Sequence, residues 1–491
     1  MKGILFFAKA LLASLIVLTS LINITYAKEL SVQKFELPSG MPVVFYKTEE
    51  GYKGVAVRLV VHVGQLDFIN GKRALPHLLE HLLFRDNKKK TAVEINTRLD
   101  AFAPSNNAEG RHNITVYELN SKYAAIRAVR TLFEMFSNPL FHQKDIDIEK
   151  QAILREEGLP GGYLGRLANI IRLPENAKDH AYRLIDPVGD NVASVLSLDD
   201  ISRDNLVDAH KKYYSPANMT LIVVGDYELD LLQEVLNKFS DDNFGKNSQH
   251  GVRHEISNGL KSSFKGPKEV DAAFSPLVGA ESTVMVGYVV PGYRDNKEKW
   301  AVHWTLKHLL GQLAYEELRL ATGLVYTPRV GASYFNHYGF MEINADVEIG
   351  NEEKSVEKIN KVFSRIASGD FTKWDFFAAK SRAQVIEKRS INDAGKLADY
   401  MVNHYQEYIA TGKFEEPDWS FDGVDKAQVI EAAKALFVPE KKMTAVVSPA
   451  LSYGWLLLPM GLVILILLIV MFRYVYLRFL VSKRINPCDV D

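Results

Sequence analysis

One cysteine stands in 491 residues, Cys488, close to the C-terminal end. The rest of the chain can form no disulfide and has no thiol nucleophile, so any catalysis must come from hydroxyl, carboxylate, imidazole or metal. Charge of one sign is also missing. Against 60 Asp and Glu stand 59 Lys and Arg, a formal net charge of -1, which excludes a global field directed at nucleic acid. No Gly/Ser-rich or Pro-rich tract calls for disorder. With 47% apolar and 24% charged residues, packed cores are expected, and the length suits two domains of about 200 residues each plus extra segments.

Both ends read as separate from the globular body. Met1 to Ala27 carries Lys2 and Lys9, a mostly apolar run from Ala10 to Ile24, and Thr25-Tyr26-Ala27 with small residues at the cleavage-determining positions. This is the pattern of a secretory signal cut after Ala27. The alternative is an uncleaved anchor, for which the run is short. At the other end, Ala450 to Phe472 holds no charge and is long enough to span a bilayer. Arg473, Arg478, Lys483 and Arg484 follow it, while no basic residue precedes it closer than Lys442. The positive-inside rule then puts the tail in the cytoplasm and the body outside, in a bacterial periplasm given the short signal and the thiol-free body. Asn113-Ile114-Thr115 and Asn218-Met219-Thr220 match glycosylation acceptors, but both run into apolar strand-like stretches and read as chance matches.

The body repeats itself. Ser197 to Pro216 (SLDDISRDNLVDAHKKYYSP) and Ser420 to Pro439 (SFDGVDKAQVIEAAKALFVP) align at an offset of 223 residues, and each is followed by Met-Thr and a β-branched run. Each copy predicts amphipathic helix, Pro-marked turn and buried strand. A repeat this long implies two domains of one fold rather than a solenoid. Val55–Val63 and Thr283–Val290 read as strands, and Ala124–Phe136 and Trp300–Leu318 as helices. The expected fold is therefore α+β: two homologous domains of mixed sheet plus helices, with a C-terminal transmembrane helix. The expected boundaries are 1–27 signal, 28–240 first domain, 241–282 a polar, glycine-marked linker, 283–449 second domain, 450–472 span and 473–491 tail.

Pro76-His77-Leu78-Leu79-Glu80-His81-Leu82-Leu83-Phe84 carries the chemistry. In a helix His77 and His81 share one face, and two imidazoles at that spacing can bind one zinc ion. Glu80 lies on the same side, where a carboxylate can take the proton of a water that zinc activates. This HxxEH order reverses the commoner HExxH. The plain alternative is two histidines on an apolar helix with Glu80 solvated. A third protein ligand is needed, and Glu149 and Glu156, seven residues apart, face one way with Ile153 between them. Taken alone, that segment reads as an ordinary charged helix face.

His77-Leu-Leu-Glu-His81 followed by Glu156 resembles the pitrilysin/insulinase family of metallopeptidases, whose smaller members include the mitochondrial processing peptidase and many bacterial proteases. The resemblance runs from about Phe35 to Pro449. It implies His77, His81 and Glu156 as ligands of one Zn2+ per chain, Glu80 as general base, and Glu149 as an acid supporting the ligands from behind. Ser105-Asn106-Asn107-Ala108 is similar to the family's edge strand, where a peptide substrate adds as an extra strand, so Asn107 and Ala108 are implied in substrate binding. Tyr214-Ser-Pro-Ala-Asn218, followed by Val223-Val224-Gly225-Asp226, is similar to the end of the family's first domain. Leu318-Arg319 and Gly323-Leu324-Val325-Tyr326 resemble the motif whose arginine and tyrosine grip the substrate and steady the oxyanion, which marks Arg319 and Tyr326 as catalytic. Two departures stand out. Ala74-Leu75-Pro76 replaces a usual glycine, which touches helix entry, and Arg85 to Lys90 replaces a Lys-Gly-Thr-like turn, which is expected to concern only a surface loop.

The resemblance implies half of a clamshell. A half-length chain with both motifs points to a homodimer in which Arg319 and Tyr326 serve the partner's zinc, with a heterodimer with a related subunit as the alternative. The function so implied is a membrane-anchored zinc metalloendopeptidase acting on peptides or small unfolded proteins, with no nucleic acid partner. Its rivals are a non-catalytic family member serving as a membrane-tethered scaffold or partner subunit, and a metal-dependent hydrolase of something other than peptides.

Overall fold

A computed structural model describes residues 30–49, 54–68, 72–111, 113–156, 177, 181, 197–244, 264–273, 278–292, 299–334, 338–391, 393–414 and 421–484. The signal segment, the end of the tail with Cys488, and much of the expected linker lie outside these.

Thirteen strands make up the described sheets: β1 Gln33–Glu36, β2 Pro42–Lys47, β3 Val55–Val61, β4 Ser105–Gly110, β5 Thr115–Ser121, β6 Met219–Gly225, β7 Lys268–Ala273, β8 Val278–Gly279, β9 Glu281–Pro291, β10 Arg329–Tyr334, β11 Tyr338–Glu348, β12 Lys442–Ser448 and β13 Leu451–Ser452. The first sheet runs β1-β2-β6-β3-β5-β4 and the second β10-β11-β9-β12-β7. From β2 onward the two match strand for strand. A parallel pair (β2·β6, β7·β12) is followed by three antiparallel ones (β6·β3, β3·β5, β5·β4; β12·β9, β9·β11, β11·β10). The chain is thus α+β, with two domains of one topology.

The sequence repeat is this symmetry at its most legible point. Its copies are the helices Arg203–Tyr213 and Lys426–Leu436, each leading through a short 3-10 turn at a proline into β6 or β12. Both helices start at a reciprocal cap, Ser202 with Asn205 and Asp425 with Gln428, a device that contributes roughly 1 kcal/mol each. Lys268–Ala273 corrects the expected linker. It is β7, the counterpart of β2, and residues 241–244 complete the helix Leu229–Phe244.

β3 and β6 are buried along their whole length because both faces of the first sheet are covered. Val57, Leu59 and Val61 face the helices Leu75–Leu83 and Ala125–Ser137, while Ala56 and Val60 meet Leu397, Met401 and Tyr405. The second cover comes from the other half of the chain, on the helices Ala394–Asn403 and Tyr405–Thr411. The exchange runs both ways. Ala177 and Ala181 pack on the second sheet against Met285, Phe340 and Ala445, and the Ala177 N–H donates to Thr283 Oγ1 at 2.8 Å.

In the second domain His303 is buried, and desolvation pushes its pKa down to about 4. Such a histidine folds neutral, so the unfolded chain binds the extra proton between pH 6.5 and 4, and stability falls by about 1.4 kcal/mol per pH unit on descending through that window. Replacing His303 by Gln should flatten the acid limb of a stability–pH curve by that slope. An unchanged slope below pH 6.5 would show that His303 is not held neutral.

Tyr453–Arg484 is one helix of 32 residues. Its stretch Gly461–Arg478 has a mean hydropathy of 2.1, with none of it buried against the body, and by length and composition it is able to cross a membrane. It starts three residues later than the expected span because Leu451–Ser452 pair with β8 before the chain turns helical, and it continues beyond Phe472.

Candidate metal centre

Leu75–Leu83 is a nine-residue helix with Pro76 in its first turn, where a missing N–H costs nothing, so the lost glycine does not prevent helix entry. Leu75, Leu78, Leu79, Leu82 and Leu83 are buried and dock the helix on the first sheet. That turns His77 and His81 toward a cleft of about 530 Å³ between this helix, the end of the helix Gln143–Glu156, and β4.

Three side-chain atoms converge there. His77 Nε2 lies 3.2 Å from His81 Nε2, and Glu156 Oε2 lies 3.5 Å from each. A tetrahedral zinc with bonds near 2.0–2.1 Å separates its ligand atoms by roughly 3.3 Å, so this triangle is the size of one tetrahedral face. The donor set, two imidazoles and one carboxylate, suits zinc and leaves one coordination position open. Among the described residues no other group of three or more His, Cys, Asp or Glu could hold a metal ion.

Behind the triangle, Glu149 is buried and its Oε2 accepts from His81 Nδ1 at 2.8 Å, which leaves the His81 Nε2 lone pair facing the gap. Burial would raise the Glu149 pKa, but hydrogen bonds from His81 and Arg85 outweigh it and hold the carboxyl low. Burial would likewise lower His81, but the Glu149 hydrogen bond and the charge of Glu156 raise it. For His77, burial and the neighbouring His81 outweigh the charge and hydrogen bond of Glu156, and its pKa is lowered. Arg85 corrects the surface-loop expectation: its guanidinium donates to Glu149 Oε1 through Nε at 2.5 Å and pairs with the same oxygen through Nη2.

Glu80 is 8% exposed, and burial pushes its pKa up to about 7. Its Oε2 has no hydrogen-bond partner among the described residues. The charge of His81 and the Gly110 backbone N–H offset only part of the effect of burial on the Glu80 carboxyl. An ionisable oxygen left bare in a cleft marks where a proton-bearing group can be received. Asn107 and Ala108 line the same cleft on β4, the edge of the first sheet, which pairs only with β5 among the described strands.

Arg319 and Tyr326 do not line this cleft. They lie in the second domain on and after a π-helical turn, Tyr315–Leu320, which Glu317 anchors through Lys361 and Arg365. Gly323, at φ 64°, turns the chain back so that the Arg319 guanidinium lies 4.5 Å over the Tyr326 ring, itself 79% exposed. Sequence reasoning missed Arg85. The one signal available was a basic residue directly after the motif.

Fold and site together define a two-domain α+β chain with one candidate metal centre of two histidines and a glutamate. The model of the insulinase family (peptidase family M16) matches residues 43–158, and the model described as the peptidase M16 inactive domain matches residues 200–383. The chain belongs to this family. The zinc protease PqqE of Helicobacter pylori is 23% identical over 421 residues, covering 79% of this chain and 88% of that relative. The probable zinc protease PqqL of Haemophilus influenzae is 28% identical over 221 residues, covering 42% of this chain and only 23% of that longer relative. Among solved structures, a protease from Helicobacter pylori superposes with a TM-score of 0.67 at 16% identity, over 86% of this chain and 100% of that one. The periplasmic protease PqqL from Escherichia coli does so at 0.60 and 14%, and there the chain covers 48% of the neighbour. At these identities the structural likeness speaks for the fold.

Proposed function

We propose that this protein is a zinc metalloendopeptidase, anchored in a membrane, that hydrolyses peptides or small unfolded proteins. The observation that carries the reading is the triangle of His77, His81 and Glu156 with the bare Glu80 oxygen beside it. One zinc per chain would be held by those three residues. When bound, it supplies Lewis-acid polarisation of the scissile carbonyl and lowers the pKa of water. Glu80 takes a proton from the attacking water as the water oxygen bonds to the carbonyl carbon, and passes it to the amide nitrogen as the C–N bond breaks. The free edge of β4 receives the substrate backbone as an added strand at Asn107 and Ala108, which suits loose side-chain specificity. Arg319 and Tyr326 would steady the developing oxyanion from a second copy of the chain in a homodimer, the two half-clamshells closing one chamber. The rival, a tethered non-catalytic scaffold, draws on the description of residues 200–383 as an inactive domain, but the donor set lies wholly outside those residues.

The body is assigned to the periplasm, the compartment of the Escherichia coli neighbour, with the basic end of the last helix on the cytoplasmic side. Removing Ser452 to Asp491 should release a soluble dimer with about one zinc per chain, and His77→Ala or His81→Ala should abolish zinc and hydrolysis together. Full zinc in both variants by elemental analysis would sink the ligand assignment. A truncated product still in the membrane would show that the N-terminal segment remains as an anchor.

A further inference from the structure

Glu149 and Glu156 lie on one helix, both beside the two histidines, and either carboxylate could in principle turn toward a metal. What separates them is what each already holds. Glu156 is half exposed, and among the described residues its carboxylate pairs with the two imidazoles. Glu149 has both oxygens committed: Oε2 to His81 Nδ1 at 2.8 Å, and Oε1 to Nε and Nη2 of Arg85. We propose that Arg85 is a positioning residue for the metal centre. By clamping Glu149 it fixes the acceptor that orients His81 with its Nε2 bare, and it bars Glu149 from swinging in to compete with Glu156. The inference rests on the zinc reading above.

Charge-assisted bonds from a guanidinium to a carboxylate that is largely out of water are among the strong ones, so the clamp is able to hold a single rotamer. Arg85 adjoins the helix that carries the histidines, so it ties Glu149 back to the element it must serve. Without it, Glu149 would be a buried carboxylate with one partner, free to rotate away from His81 or to take a proton.

Electrostatics alone predicts the opposite of this role, which makes the test sharp. Removing a cation from beside a divalent metal should tighten binding, whereas losing the outer partner of a ligand histidine weakens it by about 10- to 100-fold. In the full chain held in detergent, zinc dissociation constants would be measured by chelator competition. Arg85→Gln should weaken zinc about 10-fold or more. The same change made in a Glu149→Gln background should cost less than about 2-fold, because the path through Glu149 is already cut. Arg85→Lys should recover much of the loss, since both guanidinium contacts go to one oxygen that an ammonium could also meet. Unchanged or tighter zinc in Arg85→Gln, an equal loss in both backgrounds, or no recovery in Arg85→Lys would overturn the proposal. A wild-type chain that binds no zinc would overturn the metal reading itself and this role with it, a result distinct from the other three.

Discussion

Glu80→Gln should retain zinc and lose at least about 100-fold in peptide hydrolysis, the order that general-base catalysis contributes. The amide keeps the volume and the buried position of the carboxyl, and Glu80 is not one of the three atoms in the metal triangle. What it loses is the capacity to take a proton. Glu156→Gln should do the reverse and weaken zinc first, because its Oε2 is a corner of the triangle. A stability measurement on the metal-free protein gives an independent reading of the same site. Burial raises the Glu80 pKa from 4.5 to about 7, so the folded state binds the extra proton in that window and stability falls as pH rises through it. The metal-free Glu80→Gln variant, which carries no such charge, should therefore be at least as stable as wild type at pH 8. Near-normal turnover in zinc-loaded Glu80→Gln would remove Glu80 from proton transfer. A clear loss of stability at pH 8 would show that the carboxylate is satisfied in the fold rather than held bare for chemistry.

The largest effect on stability is expected at Arg58. It lies in the middle of β3, is 1% exposed, and donates to Asp399 Oδ1 at 2.9 Å, Asn120 Oδ1 at 2.9 Å, the Val57 carbonyl at 3.0 Å and the Gly395 carbonyl at 3.1 Å. Asp399 and Gly395 belong to the helix Ala394–Asn403, which the second half of the chain lays over the first sheet. Arg58 is therefore a polar pin in this cover, alongside the buried Tyr405 hydroxyl, which donates to Thr220 Oγ1 and meets His62 Nε2. Arg58→Ala removes the donor from the buried Val57 carbonyl and from the part-buried Asn120 and Gly395 oxygens and opens a cavity, which together should cost about 2–4 kcal/mol. Water can reach Asp399, which is 45% exposed, so Asp399→Ala should cost distinctly less. Arg58→Lys should fall between them, since one ammonium cannot meet all four acceptors at once. Denaturant unfolding would measure the series. A loss below about 1 kcal/mol for Arg58→Ala would mean that Arg58 does not pin the cover.

The elements with a strong local signature were legible from residue order. HxxEH on an apolar helix, the paired helix-turn-strand segments ending in β6 and β12, and the uncharged C-terminal run all express periods of two or 3.6 residues, or a plain length, and such patterns need no knowledge of distant neighbours. β7 was missed for the opposite reason. Lys-Glu-Val-Asp-Ala-Ala is polar and poor in β-branched residues, and it is a strand because β12 offers it a ladder.

Residue order by itself determined the candidate metal donors, the spacing of the two histidines and the existence of two like domains, because side chains four apart on a helix must share a face and a repeated sequence must repeat its structure. Tertiary structure alone decided the rest. It brought Glu156 to 3.5 Å from both imidazoles, closed Arg85 onto Glu149, left Glu80 Oε2 bare, and crossed the helix Ala394–Asn403 onto the other domain's sheet around Arg58. Each is a contact between segments remote in sequence or in different elements, fixed by how whole helices and sheets pack, and neither local propensity nor spacing along the chain carries that information.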